Sequence, residues 1–304
     1  MSAPLIVSLY ALLCLIWGST WLAIKFSLDG IPPVLGAALR FALASTIMFL
    51  LLWMRKAKLH LTRDGKIAVI STGILAFTFN YACVYWAESY ISSGLTAILF
   101  SVNPLIVAML SRYWTKSETL TARKVAGILI GMAGTALLFW PEERLSWGRL
   151  VGIAAVLFAA LSSAVNMVMV KKYARHMDVF VLNALGMAIG TACLLATSAA
   201  FEHGAHVSFS PSNLLAVAYL AVFGTVIGFL GYYRLLQILD ATVVSAMILI
   251  FPPMALALGR IFLHESISPR AVAGAAVVLT GVGITINPFS RARARRPPIA
   301  EPLS

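Results

Sequence analysis

The chain has 304 residues, of which 61% are hydrophobic and only 11% charged, and its formal net charge is +12. Soluble domains carry about 25% charged residues, so there is too little polar surface here to cover a water-soluble globule. The basic residues sit in short connections between apolar runs, which excludes nucleic-acid binding as the purpose of the positive charge.

The runs are too long, and alternate too little, for the roughly 10-residue strands of a membrane barrel. Helices of about 20 residues fit them. Ten such runs are predicted, and the first, 4–24, has no basic segment ahead of it and no small-residue cleavage site behind it. It therefore reads as a permanent span rather than a signal peptide. It carries Trp17, Thr20 and Trp21 on one stripe beside Gly18, with Trp17 near mid-membrane, and a cavity-lining role is expected for Trp17 and Thr20. The second run, 34–54, holds Arg40 about 10 Å inside its helix at roughly 1.5 Å per residue, where a charge costs a few kcal/mol unless it snorkels or pairs. Snorkelling to the outer surface is the first expectation. The alternative, for Arg40 or for Lys25 at the end of the first run, is attraction of a substrate carboxylate; Lys25 also has Asp29 and Glu88 as candidate partners.

The third run, 67–87, is the richest. In "FTFNYACVYWAESY" the residues Phe77, Tyr81, Tyr85 and Glu88 recur at helical spacing, with Asn80 beside them. Buried phenols and amides need partners in hydrocarbon, so this face is expected to wall a cavity that stacks and hydrogen-bonds organic solutes. Trp86 and Tyr90 read instead as an interfacial aromatic belt. The fourth run, 93–113, places Ser101 and Asn103 just before Pro104, where the amide of Asn103 can either bond a carbonyl freed by the proline or face substrate. The fifth, 122–140, has a seam of Gly127, Gly131 and Gly134, and the eighth, 212–236, has another of Gly224, Gly228 and Gly231. Such seams let helices approach closely, here within one chain in the first reading and in a dimer in the second. The sixth run, 148–170, offers Ser162, Ser163 and Asn166; the seventh, 179–201, offers Asn183, read as helix glue; the eighth ends with Tyr232 and Tyr233. The ninth, 242–262, contains Pro252–Pro253, and the tenth covers 270–288. An interior proline costs roughly 3 kcal/mol; Pro104, Pro252 and Pro253 are expected to break or kink helices beside a central site. Cys14, Cys83 and Cys193 lie inside apolar runs without metal-ligand spacing, so packing is expected and no cofactor is implied.

Orientation follows from Lys and Arg. With the N-terminus inside, seventeen of the 23 basic residues fall in or beside inner connections and six on the outer side, which predicts both termini in the cytoplasm. The basic tail "SRARARRPP" (290–298) then reads as a topology anchor at an anionic leaflet.

The chain also repeats itself. "SETLTARKVAGILIGMAGTALLFWP" (117–141) aligns with "HESISPRAVAGAAVVLTGVGITINP" (264–288), pairing Glu118 with Glu265, Gly127 with Gly274, Gly134 with Gly281 and Pro141 with Pro288. One residue of slippage upstream brings Pro104 onto Pro252. Each half holds five spans, an odd number, so the second must be inverted relative to the first, the arrangement typical of secondary transporters. The expected fold is an all-α polytopic membrane protein: ten transmembrane helices in two inverted five-helix repeats, 1–141 and 147–288, around a central cavity, followed by a basic tail, 289–304.

"LLCLIWGSTWLAIKFSL" with "PPVLGAALRFALA", the "NP" and "PP" of the fourth and ninth runs, and the paired "E…G…G" segments together resemble the EamA type of the drug/metabolite transporter superfamily, over about residues 10 to 288. The resemblance implies a carrier of the cell inner membrane, often an exporter of amino acids or other small metabolites, and "FNYACVYWAE" is most similar to exporters of aromatic and other amino acids. Small proton-coupled relatives use a glutamate in their first span; the matching "LIWGSTWLA" has none, so alternating access without a buried-carboxylate proton site is expected. A flippase-like carrier of amphipathic or lipid-linked solutes is the alternative. An intramembrane enzyme is not expected, since the spans hold no H-E-x-x-H, no paired acidic motif and no Ser/His arrangement. The expected partners are membrane lipids and a small-molecule substrate, with a monomer favoured over a homodimer.

Overall fold

A computed structural model describes residues 1–57, 59, 61–87, 90–91, 93–115, 120–138, 146–263 and 268–286. Among them are helices and connections only, and each of the ten predicted runs lands on a helix. These are α1 (Ala3–Ser27), α2 (Pro33–Met54), α3 (Arg63–Ala87), α4 (Ser93–Phe100 and Asn103–Leu110, ending in a π turn at Ser111–Thr115), α5 (Ala122–Leu138), α6 (Trp147–Tyr173), α7 (Val179–Phe201), α8 (Pro211–Ile238), α9 (Ala241–Ser245 and Met247–Leu263) and α10 (Pro269–Ile286). Seven helices are long and apolar enough to cross a membrane. Large apolar side chains such as Trp53, Phe201, Trp147 and Leu215 stand exposed around the bundle, which lipid tolerates and water does not. The basic tail lies outside the described residues.

Helix starts follow local chemistry. Ser210 accepts from the backbone N–H of Asn213 while the Asn213 side chain accepts from Ser210 N–H, and Pro211 occupies the first turn of α8. Asp178 caps α7 through Phe180 N–H, and Thr62 caps α3 through Gly65 N–H. The start of α2 is capped from a distance: Glu202, just past α7, accepts from Val34 and Leu35 N–H at 2.8 and 2.9 Å.

Two helices widen at matching places. Thr72–Asn80 in α3 and Leu220–Ile227 in α8 are π-helical, a geometry that inserts a residue into the turn and is frequent at functional sites. In each, a threonine hydroxyl reaches back five residues: Thr78 to Gly73 O and Thr225 to Leu220 O, both at 2.8 Å. Thr78 and Thr225 stand as far apart in sequence as Glu118 and Glu265, so the two wide turns are counterparts in the two halves.

The α5 and α10 seams meet each other inside the chain. A Cβ on Gly127 would lie 2.7 Å from Gly281 O, and one on Gly134 would lie 2.9 Å from Gly274 O. The start of each helix thus meets the end of the other, in an antiparallel and reciprocal contact, as a two-fold axis across the helices demands. The second seam also packs within the chain, with Gly224, Gly228 and Gly231 against Thr20, Trp17 and Leu13 of α1.

The helix breaks differ from expectation in one respect. In α4 the helix does stop at Ser101–Val102, immediately before Pro104. In α9 it stops at Ala246 and then runs unbroken through Pro252 and Pro253. A proline can ride inside a helix if the carbonyls it leaves unbonded find another environment, and Ile248, whose carbonyl Pro252 cannot bond, lines the cavity described next.

Candidate functional site

Helices α1, α2, α3, α4, α6, α8 and α9 surround a central cavity with a volume of about 170 Å3 open to water. A buried water needs roughly 10–15 Å3 on this measure, so the space holds on the order of ten waters, or one solute of about a dozen non-hydrogen atoms. Its lining runs from Asn166 and Tyr233, near the end of the bundle that carries the N-terminus, to Ile24, Tyr85 and Thr96 near the opposite end.

Of the residues singled out in the sequence, Trp17, Thr20, Arg40, Asn80, Tyr81, Tyr85, Ser163, Asn166, Tyr232, Tyr233 and Pro252 line this cavity. Phe77, Ser101, Asn103, Pro104 and Pro253 do not. Phe77 is fully buried behind the wall, against Phe41 and Phe229 with ring centroids at 4.9 and 4.8 Å. The Ser101 hydroxyl donates to Ile98 O of its own helix, and Asn103 donates to Ala160 O at 2.8 Å, which ties α4 to α6. The Asn183 side chain donates within its own helix, to Val179 O. Glu88 and the side chains of Trp21 and Lys25 lie outside the described residues.

Hydrogen bonds position the lining. Asn80 donates to Ala159 O at 3.0 Å. Asn166 accepts from Ser71 and Thr72 and donates to the Tyr233 hydroxyl, so one amide joins α3, α6 and α8. Trp17 is the hub of an aromatic wall: its Nε1 donates to Gly224 O at 2.9 Å, and its ring meets Phe229, Tyr232 and Phe251 edge-on at 5.3–5.6 Å. Gly228 makes room for that ring, since a Cβ there would sit 2.8 Å from Trp17 Nε1.

Arg40 corrects the snorkelling expectation. Its side chain is buried at 2% exposure and turns into the bundle, where Nε donates to Thr225 Oγ1 at 2.7 Å and Nη2 to Gly224 O at 3.2 Å. The guanidinium lies 5.1 Å from the Tyr81 ring and faces the cavity, a favourable cation–π geometry. The wide turn of α8 supplies acceptors that a helix-depth argument cannot see. Phe229, Phe251 and Thr96 are further lining residues that sequence reasoning passed over. Phe229 was the most accessible of these, since it stands between two seam glycines, Gly228 and Gly231.

At the end carrying the N-terminus the bundle is tied shut. The Tyr10 hydroxyl donates to Val243 O, Lys171 reaches Leu236 O and Leu239 O, and Gln237 donates to Ala174 O and Met177 O. Two ion pairs join the halves there, Lys124–Asp240 at 3.1 Å and Arg55–Asp178 at 4.0 Å. Among the described lining residues Arg40 is the one charged side chain, and none is a carboxylate.

A polytopic helical bundle around an amphipathic cavity of metabolite size is the build of a membrane transporter. The chain belongs to the EamA-like transporter family, whose model matches it twice, over residues 4–140 and 150–287. It is 29% identical over 279 residues to Protein PagO of Salmonella typhimurium, covering 91% of each chain. It is 27% identical over 278 residues to the uncharacterized transporter YoaV of Bacillus subtilis, covering 91% of this chain and 95% of the relative. The uncharacterized inner membrane transporter YedA of Escherichia coli is 28% identical over 268 residues, with 87% and 85% covered. A crystal structure superposes with a TM-score of 0.81 over 97% of this chain and 100% of its own at 18% identity, a likeness of fold alone.

Proposed function

We propose that this protein is a secondary transporter that exports small organic metabolites, amino acids foremost, across the cell inner membrane, with both termini in the cytoplasm. The observation that carries this reading is the cavity itself, which is of solute size and walled by Trp17, Tyr81, Tyr85 and Tyr232 with amides at Asn80 and Asn166. Aromatic rings suit both an apolar side chain and the ammonium group of an amino acid. Aromatic amino acids are therefore the first substrates to try. The inner membrane is supported by the relative named for it, and the cytoplasmic termini by the placement of basic residues.

Transport proceeds by alternating access. In this reading the end tied by the Lys124–Asp240 and Arg55–Asp178 pairs is the cytoplasmic one, and the form described is closed there. Two inverted five-helix halves exchange these roles in the opposite form. No carboxylate stands among the described lining residues, which supports movement of solute down its own gradient without a proton-carrying acid in the cavity.

Purified protein in liposomes, tested without any ion gradient against amino acids, nucleosides and quaternary cations, checks this. Amino acids should be taken up, and Asn80→Ala and Tyr85→Ala should each slow uptake several-fold. Strict dependence on an imposed pH gradient, or indifference to both substitutions, refutes the reading.

A further inference from the structure

The cavity holds a buried cation with no counter-charge among the described residues. Seven residues into α2, at 2% exposure, the Arg40 guanidinium meets neutral groups among the described residues: Thr225 Oγ1, Gly224 O and the hydroxyls of Tyr81, at 3.5 Å, and Tyr85. No carboxylate among the described residues lies within ion-pair distance of it. A guanidinium has five N–H donors in a planar fork. Those partners are hydroxyls and a carbonyl, so the positive charge itself is left uncompensated among the described residues. A charge this deep in hydrocarbon marks a functional site by default, and its missing partner is what the site awaits.

We infer that Arg40 is the docking point for the carboxylate of the transported solute, so that substrates are organic acids or amino acids and their decarboxylated or esterified analogues are rejected. This rests on the cavity being the transport site. The fork lines the cavity and matches a carboxylate through two parallel N–H···O bonds, which would take the place of the tyrosine hydroxyls. Trp17, Tyr81 and Tyr232 then lie beside it to take the remainder of the solute. The charge is one-sided: at the sequence spacing of the two halves the counterpart of Arg40 is Met187, which is fully buried in the core. Two contacts of the fork, Thr225 Oγ1 and Gly224 O, are on the wide turn of α8, so the group that receives the carboxylate also braces that turn.

The test uses purified full-length protein and phenylalanine, phenylpropionate, phenylalanine methyl ester, phenethylamine and succinate as probes, read by binding and by liposome uptake. The two aromatic acids should bind at least tenfold more tightly than the ester and the amine, and Arg40→Gln should bring that ratio to about one. A ratio near one in the unaltered protein, or one unchanged by Arg40→Gln, overturns the inference. Should Arg40→Gln fail to fold, phenylglyoxal labelling of the unaltered protein decides. Arg40, located by mass spectrometry, should be modified in the empty protein and protected by phenylpropionate but not by phenethylamine. Failure to label, or equal labelling in all three, overturns it. Uptake of succinate or phenylpropionate but of no amino acid would leave Arg40 standing and refute the amino-acid reading. Amino-acid uptake untouched by Arg40→Gln would do the reverse.

Discussion

The contact between α5 and α10 gives a quantitative test of the fold. A Cβ added to Gly281 would lie 2.4 Å from Gly131 N and 2.5 Å from Gly127 O, whereas one added to Gly283, two residues on, meets nothing within 4 Å. Ordinary carbon contacts begin near 3.5 Å, so Gly281→Ala requires the two backbones to part by about 1 Å along the seam. Overpacking of this kind costs about 1–3 kcal/mol, and because both clashing atoms are backbone the upper figure applies. Removing a helical glycine returns about 1 kcal/mol. The net expectation is a loss of about 2 kcal/mol for Gly281→Ala, close to a thirtyfold fall in the folded-to-unfolded ratio, against a gain of up to about 1 kcal/mol for Gly283→Ala. Reversible unfolding of both variants in mixed micelles, followed by tryptophan fluorescence, measures the difference. If Gly281→Ala proves as stable as Gly283→Ala, the two helices do not meet at this seam and the antiparallel pairing drawn from it is wrong.

Two further outcomes follow from the wide turns and from the remote cap. Thr78→Val removes a hydroxyl bonded only to Gly73 O, while Thr225→Val removes one that also accepts from Arg40; the second should cost about 1–3 kcal/mol more than the first in the same unfolding assay, because a charged donor loses its partner. Equal costs would mean that Thr225 does not hold Arg40. Glu202→Ala should cost about 1–2 kcal/mol by uncapping Val34 and Leu35 N–H, with faster hydrogen exchange confined to the first turn of α2; unchanged exchange there would show that water serves those donors equally well.

The ten helices were legible because a bilayer leaves a chain few options. Every backbone polar group must be satisfied within its own segment, so length and apolarity alone mark a span. The repeat was legible where backbones touch, since a Cβ at Gly127, Gly134, Gly274 or Gly281 would meet backbone atoms of the facing helix within 3 Å. It was harder to see at α3 and α8, where Thr78 with Thr225 and Tyr85 with Tyr232 are scattered matching pairs among apolar residues that lipid does not discriminate. The polar lining was legible by the rule that a polar side chain in hydrocarbon has a partner, which brought Asn80, Tyr85 and Asn166 to the cavity. The same rule misplaced Ser101 and Asn103, because a nearby carbonyl satisfies it as well as a solute does, and sequence cannot tell Ile98 O or Ala160 O from a ligand. Arg40 was misread for a related reason. Depth along α2 was right, but the acceptors that draw it inward come from a π turn some 185 residues later in the chain.

That turn explains why the two halves cannot be functionally alike although they share a scaffold. Gly224 O accepts from both Trp17 and Arg40, so one carbonyl in the wide turn of α8 orients the aromatic hub and the cation together. At the counterpart position the wide turn of α3 has Phe77, whose ring fills the space beside Gly186 and Gly190 of α7. The same irregularity serves packing in one half and polar anchoring in the other. The distinction lies in the single missing side chain: a Cβ on Gly224 would come within 2.9 Å of Thr20 Cγ2 and 3.2 Å of Arg40 Nη2, so a residue as large as Phe77 there would evict the guanidinium. On the alternating-access proposal, a scaffold that repeats would exchange its two faces while polar anchoring stays with one set of side chains, and the glycine at 224 leaves the room for it.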